Sequence, residues 1–571
     1  MISSLYTAVF LNRPATVRKR SDGWTVVAVI FFVLLIAFAA RASAQTAQWV
    51  KQMGVGGISN GVSSDAAGNA YATGIVSNPG LFDSLNIPCN ASDVFLAKYD
   101  GSGNVLWATI GGGALLDLGN DVVTDPSGNS YVVGAIQTNA PNPTAKFGSF
   151  TLVGNGDYDW LIVKYDTLGN VLWAKNYGST AGDTARSVAM DAAGNVYVSG
   201  FYSGTMTVQS VTLTSRGLFD IFLAKLDSNG TLLWLKSAGG TGSDIGHGVV
   251  VDGQGNVGVT GEFQGTATFD TRSVKAAGLG DAFIAKYDAA GNNLWVQKGG
   301  STTSFVGEPS KAIAVDAANN FYITGDYTGT ATFDGLSVVN TGTSGTDIFL
   351  AKYNSNGAIQ WLHHGGGPAS DKGYSIGVDQ AGNSWVSGFA ASGTGVVFDT
   401  ISLPPLGNEY IFLAKYDPAG IVQYVKQYAA GTGQDIHVLN NGCLYLNGGA
   451  SKSSAGNEFD NISLVYVDRG GFICQFCETV DPGCEPPTGL AASRVTSNSA
   501  TISWAAVPGA SSYSLQYRQV GTTRWKTKPA ATTSVKLKNL LPATSYEYQV
   551  ATVCSTETSP YSPVQVFTTN P

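Results

Sequence analysis

The sequence predicts an all-β protein, a sevenfold repeat followed by a smaller β-sandwich. Three observations predict it. Of 571 residues, 72 are Gly and 13% are charged, against roughly 7% and 25% in an average globular chain. Aromatic residues make up 11%, with 25 Tyr and 25 Phe, side chains that favour strands. One pattern of phrases recurs about every 60 residues, and no helical stripe or heptad follows residue 44. A helical bundle, a coiled coil and a multi-pass membrane protein are excluded on the same grounds.

Residues 1–44 read as a signal peptide that is removed. Arg13, Arg18, Lys19 and Arg20 form a positive segment, Trp24 to Ala40 is an uncharged apolar run, and Ala42-Ser43-Ala44 is a small-x-small cleavage pattern. Gln45 then begins the mature chain. The rival is an uncleaved anchor, but the run is short for a span of about 20 residues. No stable membrane span is expected after cleavage, and the protein is expected to be secreted or at the cell surface. The mature chain holds 27 Lys/Arg and 39 Asp/Glu, a net charge of −12, without a basic run. Nucleic acid is therefore not an expected partner.

The repeat begins with an outer-strand aromatic, at Trp49, Trp107, Trp173, Trp234, Trp295, Trp361 and Tyr424. A second phrase runs SSDAAGNAYATG (63–74), VTDPSGNSYVVG (123–134), AMDAAGNVYVSG (189–200), VVDGQGNVGVTG (250–261), AVDAANNFYITG (314–325) and GVDQAGNSWVSG (377–388), with a degenerate LNNGCLYLNGG (439–449). A third is DVFLAKYD (93–100), echoed at Asp159, Asp220, Asp281, Asp347 and, with Tyr replacing Asp, at Tyr410. Asp-x-x-Gly-Asn between alternating apolar runs is a tight hairpin. One unit is thus strand Val122–Thr124, turn, strand Ser130–Gly134, a long connection, strand Asp159–Tyr165, turn, strand Val171–Lys175. Four antiparallel strands repeated around a ring make a β-propeller, here seven-bladed. Phrases such as GTATFDGLSVVNTG (329–342) read as a small extra hairpin on each blade. Residues 48–53 or Gly471–Phe476 supply the closing strand; closure by 48–53 would remove an open sheet edge.

These phrases resemble the bacterial β-propeller repeat family labelled SBBP, from residue 48 to about 468. The resemblance implies the propeller fold over residues 45–477 and carries over no catalytic residue. Residues 478–487 are a Pro-rich linker. Beyond it, SATISW (499–504), SSYSLQYRQV (511–520), SVKLKNL (534–540), SYEYQVATVC (545–554) and VQVFTT (564–569) are strands about ten residues apart, a sandwich signature. Trp504 is a natural core residue. Residues 485–571 resemble a fibronectin type III domain, with Tyr546 at its tyrosine corner. Six Cys in an exported chain favour disulfides. The resemblance implies a Cys484–Cys554 bridge, while the pairing of Cys89, Cys443, Cys474 and Cys477 stays open. The Cys474-x-x-Cys477 spacing reads as part of a structural bridge rather than a redox or zinc site. The sandwich carries seven Lys/Arg and three Glu, so its basic face could meet the acidic repeat or a polyanion; an ordinary solvated surface is the simpler reading.

Candidate chemistry is sparse. Acids stand eight residues before the hairpin Asp at Asp117, Asp183, Asp244, Glu308 and Asp371, and Asp435 is assigned the same place in the last blade. They would ring one mouth of the central channel. They read either as a calcium or sugar-hydroxyl site or as caps on turns, and repetition favours caps. The hairpin Asp residues are turn formers, and the Asp-x-Phe-Leu-Ala-Lys phrase reads as an interblade ion pair. His247 and His437 sit near acids on loops, yet no nucleophile can be assigned. Phe201, Tyr202 and Tyr327 either stack on sugars or pack between blades. The sequence thus points to an exported, monomeric, non-catalytic binding or scaffold protein without a cofactor, meeting a glycan, a cell-surface polymer or another protein. The rivals are a secreted polysaccharide-active enzyme using rim carboxylates and a purely structural matrix component.

Overall fold

A computed structural model describes residues 45–571, except 84, 90, 139–143, 303–309, 343–344, 392–394, 406–408, 451–457, 461, 465–469, 479–484 and 555–557. The signal peptide assigned to residues 1–44 and the acid Glu308 lie outside the described residues. Every regular element among those described is a strand.

The second unit shows the common plan. Strands Leu118–Thr124, Ser130–Gln137, Tyr158–Tyr165 and Val171–Tyr177 form one antiparallel sheet in that spatial order. The turn chemistry is explicit. Asp125 Oδ1 accepts the N–H groups of Ser127 and Asn129, its Oδ2 takes the Asn129 amide, and Gly128 adopts φ 87°. This self-capped Asp turn needs a left-handed residue at its fourth position. In the second hairpin, Gly169 serves twice. It adopts φ 84°, and a Cβ there would lie 2.8 Å from Trp107 of the preceding unit. The Trp107 indole donates to Thr167 O at 3.1 Å, and Trp49, Trp234, Trp295 and Trp361 make the same bond to the next unit's turn. The repeated Trp is therefore a latch between units.

The phrase strand's Lys differs from expectation. Lys98, Lys225, Lys286 and Lys352 pair with Asp65, Asp191, Asp252 and Asp316, the first-turn acids of their own units, at 3.2, 3.4, 2.9 and 3.8 Å. These four ion pairs lie within units, whereas Lys415 of unit six pairs across the interface with Glu478 of unit seven. Among the four, a Lys tip also reaches onward, as Lys286 Nζ does to Ser355 O at 3.3 Å.

The extra hairpins also sit differently. Each belongs to one unit in sequence but docks on the fourth strand of the unit before. Phe269 stands opposite Ala238, Phe333 opposite Gly299, and Phe398 opposite Gly365. The seven equivalent side chains, Phe82, Phe147, Val208, Phe269, Phe333, Phe398 and Phe459, are all buried. Glycine at 111, 299 and 365 leaves the space that the Phe ring fills. Tyr202 and Tyr327 are buried in the same interfaces, and Phe201 packs edge-on to Phe219 at 5.1 Å.

Of the two candidate closing strands, residues 48–53 take the fourth place and Gly471–Phe476 does not. Gly470–Glu478 is the third strand of unit seven, paired with Cys443–Ala450. The front half of Gln45–Ser64 pairs with it as fourth strand, Gln45 opposite Glu478 and Met53 opposite Gly471. The rear half of Gln45–Ser64 is the first strand of unit one. The chain's first described residues thus complete its last sheet.

Cys443 and Cys477 stand directly opposite each other and form a disulfide. Cys474 is three positions from Cys477 on one strand, hence on the opposite face, and is buried and free, as is Cys89. Bridging within Cys474-x-x-Cys477 is thereby ruled out. A Cys443→Ser variant is expected to lower stability by about 2–4 kcal/mol, read as a fall in the Tm of the repeat region. Cys554 is disulfide-bonded; Cys484, its expected partner, lies outside the described residues.

The C-terminal sandwich packs Ala491–Ser493, Ser499–Ser503 and Ser534–Lys538 against Lys526–Ala530, Ser512–Gln519, Ser545–Val553 and Gln565–Thr568. Trp504, Leu515, Leu537 and Val550 fill its core. Tyr546 closes the corner by accepting the Leu541 N–H at 3.0 Å.

Candidate functional site: a cavity between seven first strands

The first strands of consecutive units pack side by side, and the seventh packs beside the first. Together they line a cavity of about 630 Å³. Six of them break register at the same place, so that one residue opposes none: Asn60, Asn120, Arg186, His247, Tyr374 and Gln434. Lys311 fills the corresponding place in unit five, just ahead of Ala312–Val315, with its N–H on Thr324 O. Such a bulge re-aims the extra side chain. All seven line the cavity. Of the seven, sequence reasoning singled out His247 alone, and placed it on a loop. The signal that finds them is alignment of the copies on the turn residue, five positions ahead of Asp65, Asp125, Asp191, Asp252, Asp316, Asp379 and Leu439.

First strands are not paired with one another in a sheet, so side chains stitch them. Asn60 Nδ2 donates to Gly119 O at 2.8 Å, and Asn120 Nδ2 to Ala185 O at 2.7 Å. Asp121 accepts Ser187 Oγ–H and Val188 N–H, both at 2.9 Å. Asp435 accepts Val62 N–H at 2.8 Å and Ser375 Oγ–H at 2.9 Å. Lys311 Nζ stands 4.2 Å from the centre of the Tyr374 ring. Burial raises both Asp121 and Asp435, and the charge of Asp121 raises Asp435 further. Burial pulls His437 down to about 4, so it is neutral at pH 7 and shares a 2.9 Å hydrogen bond with Ser64 Oγ.

The predicted rim acids divide into two groups. Asp435 leaves the set: it stands four residues before its turn residue, Leu439, in the place of Asp121, on the cavity wall. Asp117, Asp183, Asp244 and Asp371 are fully buried and do not line the cavity. Each accepts two backbone N–H groups: Gly113 and Gln137, Ser179 and Ser203, Gly240 and Gln264, Gly367 and Ala391. They thus tie the loop entering a first strand to the end of the second strand. Burial pushes them up, to about 7, 6, 6 and 7.

His247 and His437 lie on first strands rather than on loops. Ser64 and His437 form a couple, but Asp435 commits its oxygens to Val62, Ser375 and Ile436, so it does not orient the imidazole as a triad acid would. Among the described residues no group of three or more His, Cys, Asp or Glu is placed to hold a metal ion. The arrangement offers hydrogen bonding, cationic and aromatic contacts on a rigid wall.

Comparison with known proteins bears on the two parts unequally. Residues 485–567 match the fibronectin type III domain model. An uncharacterized WD repeat-containing protein of Acanthamoeba polyphaga mimivirus is 30% identical over 248 residues, 37% of this chain and 18% of that protein. The chain thus spans under a fifth of that relative. Among solved structures, the fn3 domain of human contactin 1 is 24% identical, covering 15% of this chain and 77% of its own at a TM-score of 0.15. The FN5 domain of Drosophila Lar is 22% identical, at 15% and 97% with a TM-score of 0.14. No helix among the described residues is long and apolar enough to cross a membrane, and a disulfide beside such a module is typical of extracellular proteins. The chain carries a C-terminal fibronectin type III domain behind an all-β repeat region.

Proposed function

We propose that this is an exported, non-catalytic binding protein whose seven units form a seven-bladed β-propeller of the SBBP kind, with the fibronectin type III domain as its spacer or adhesion module. One observation carries the reading. The copies repeat their turns, latches and buried Phe, but at the bulge they diverge into Asn, Asn, Arg, His, Lys, Tyr and Gln. Structural positions repeat with the fold, whereas a binding site breaks that symmetry. A cavity of about 630 Å³ lies within the common range for small-ligand sites. Its polar ring suits a sugar or the end of a glycan chain, with hydroxyls meeting Asn60, Asn120 and Gln434 and a ring face meeting Tyr374.

The test is a thermal-shift screen of the chain from Gln45 with soluble oligosaccharides, repeated on Tyr374→Ala and Asn120→Ala. A ligand that binds only the folded state raises Tm with concentration. The expected result is a shift that either substitution reduces at least about tenfold in apparent affinity, the scale of roughly 1.4 kcal/mol of lost contact. A shift untouched by both substitutions places the ligand elsewhere. Turnover of a polysaccharide, lost in Asp244→Asn or Asp371→Asn with folding intact, would favour the enzyme reading instead.

A further inference from the structure

Buried carboxylates meet in pairs where one unit joins the next. The first acid of the third-strand phrase comes from the earlier unit and the acid entering the first strand from the later: Asp93 with Asp117, Asp159 with Asp183, Asp220 with Asp244, Asp347 with Asp371. All eight are buried. In the last three pairs the phrase acid is one-sided. Asp159 Oδ2 takes Asn155 N–H and the Asn176 amide. Asp220 Oδ2 takes Arg216 Nε–H at 3.1 Å, and Asp347 Oδ2 takes Thr341 N–H and Oγ–H. The donors differ, yet in each case Oδ1 is buried without a hydrogen-bond partner. That oxygen is aimed at the junction. At Gly239 a Cβ would lie 2.9 Å from Asp244 Oδ2 and 3.1 Å from Asp220 Oδ1, and at Gly112 it would be wedged between Asp93 Oδ1 and Asp117 Oδ2. Glycine keeps the gap between the two carboxyls open.

The seven junctions supply a second, independent observation. Five carry both acids in the sequence, counting Asp281 with Glu308. The other two carry neither: Tyr410 is matched by Gly431, and Gly470 by Gly57. Members are kept or lost together, as two halves of one contact are.

We infer that the junctions of Asp159 with Asp183, Asp220 with Asp244 and Asp347 with Asp371 are each clasped by a proton held between the two carboxyls, with the later unit's acid donating O–H to the orphaned Oδ1 of the earlier one. The proton is taken from solvent as the junction closes. A metal ion suits the gap poorly: the oxygens of the later acid already face backbone N–H groups, and calcium asks for six to eight oxygens. Two carboxylates in one dry site cannot both ionise cheaply. The charged and titratable groups that face the junctions are Cys89 at Asp93, Tyr158 at Asp117, Tyr202 at Asp183 and Asp220, Arg216 at Asp220 and Asp244, Tyr410 at Asp371, and Tyr327 and His364 at Asp347.

The sign follows from proton binding. A carboxyl raised in the folded state binds its proton there more tightly than in the unfolded chain, so stability grows as pH falls through the folded value towards about 4. Burial has raised Asp117, Asp183, Asp244 and Asp371 in this direction. Asp121 and Asp435 on the cavity wall are raised too and add to the climb, while His437, pulled down to about 4, opposes it, so the slope lost in the variants is what reads the clasp. Turn acids such as Asp191 and Asp252 are lowered and reverse the trend only in stronger acid.

The test is Tm against pH from about 8.5 to about 5.5 for the wild type, Asp347→Asn and Asp159→Asn, with EDTA present and again with calcium. In either variant the amide oxygen keeps the Oδ2 partners, and the new N–H₂ donates across the junction without needing a proton. The expected result is a wild-type Tm that climbs on acidification, a shallower climb in whichever variant folds, and no response to calcium. Infrared difference spectra should show a protonated-carboxyl band near neutral pH that fades in base and weakens in the variants. A flat wild-type profile, an unaltered slope in the variants, or a calcium-dependent Tm at alkaline pH would each overturn the clasp. None of these readouts involves the cavity ligand.

Discussion

Deleting residues 45–53 should abolish cooperative melting of the repeat region. The segment supplies the fourth strand of unit seven, paired from Gln45 to Met53 with Gly470–Glu478. Trp49, Val50 and Met53 are buried. Three such side chains contribute roughly 5–9 kcal/mol by burial, comparable with the roughly 5–15 kcal/mol that holds a typical domain together. The loss extends further. Met53 faces Phe82, the hairpin anchor of unit one, and Trp49 Nε1–H bonds Gly101 O at 3.0 Å. The deleted protein would also present the Gly470–Glu478 strand as an open, apolar edge. The expected readout is a broad, low melt with aggregation on a sizing column, partly reversed by a synthetic 45–53 peptide added in trans. A deleted protein that melts sharply at the wild-type temperature would show that the strand is dispensable.

Trp160→Ala should cost about 3–5 kcal/mol, the range for a fully buried aromatic replaced by Ala. Its ring lies between Tyr177 at 4.8 Å in its own unit and Phe222 at 5.2 Å in the next. Its indole N–H has no hydrogen-bond partner among the described residues, so the cost is packing alone, and Trp160→Phe should recover most of it. Leu168→Ala, on a residue 73% exposed, should change stability by under about 0.5 kcal/mol. Denaturant titration of the three variants separates these outcomes; equal losses for Trp160→Ala and Leu168→Ala would contradict the packing described.

Local chemistry was legible in the sequence and non-local docking was not. Asp-x-x-Gly-Asn reads as a turn because the Asp carboxyl and the Gly backbone act within five residues. The strands of the second unit accordingly keep the end that abuts a turn, and extend one to four residues beyond the span read for them at the other end. Leu541 to Tyr546 reads as a corner for the same reason. The hairpin phrase, by contrast, announces two short strands but not whose fourth strand receives its Phe. That depends on glycines at 111, 299 and 365, which carry no pattern of their own. The Lys of the phrase strand was placed between units, because nothing in the sequence says that a third strand lies beside its own first turn. Asp435 was misplaced because the degenerate turn around Leu439 lacks an Asp to count from. The bulge residues other than His247 were invisible for the opposite reason: reading for repetition passes over the one position where the copies disagree.

The pairing of the first strand with the last has a consequence for how the chain is made. The Ala47 N–H finds its acceptor, Asp460 Oδ2, 413 residues later. At a synthesis rate of roughly 5–20 residues per second, that strand waits some 20–80 s with its ladder unpaired. Each hairpin likewise finishes the unit made before its own, so none of the first six units is complete when its last residue emerges. The nascent chain is thus always one step short of closed. Its risk of mispairing is greatest at the leading strand, where a holdase that binds alternating apolar sequence would do most good.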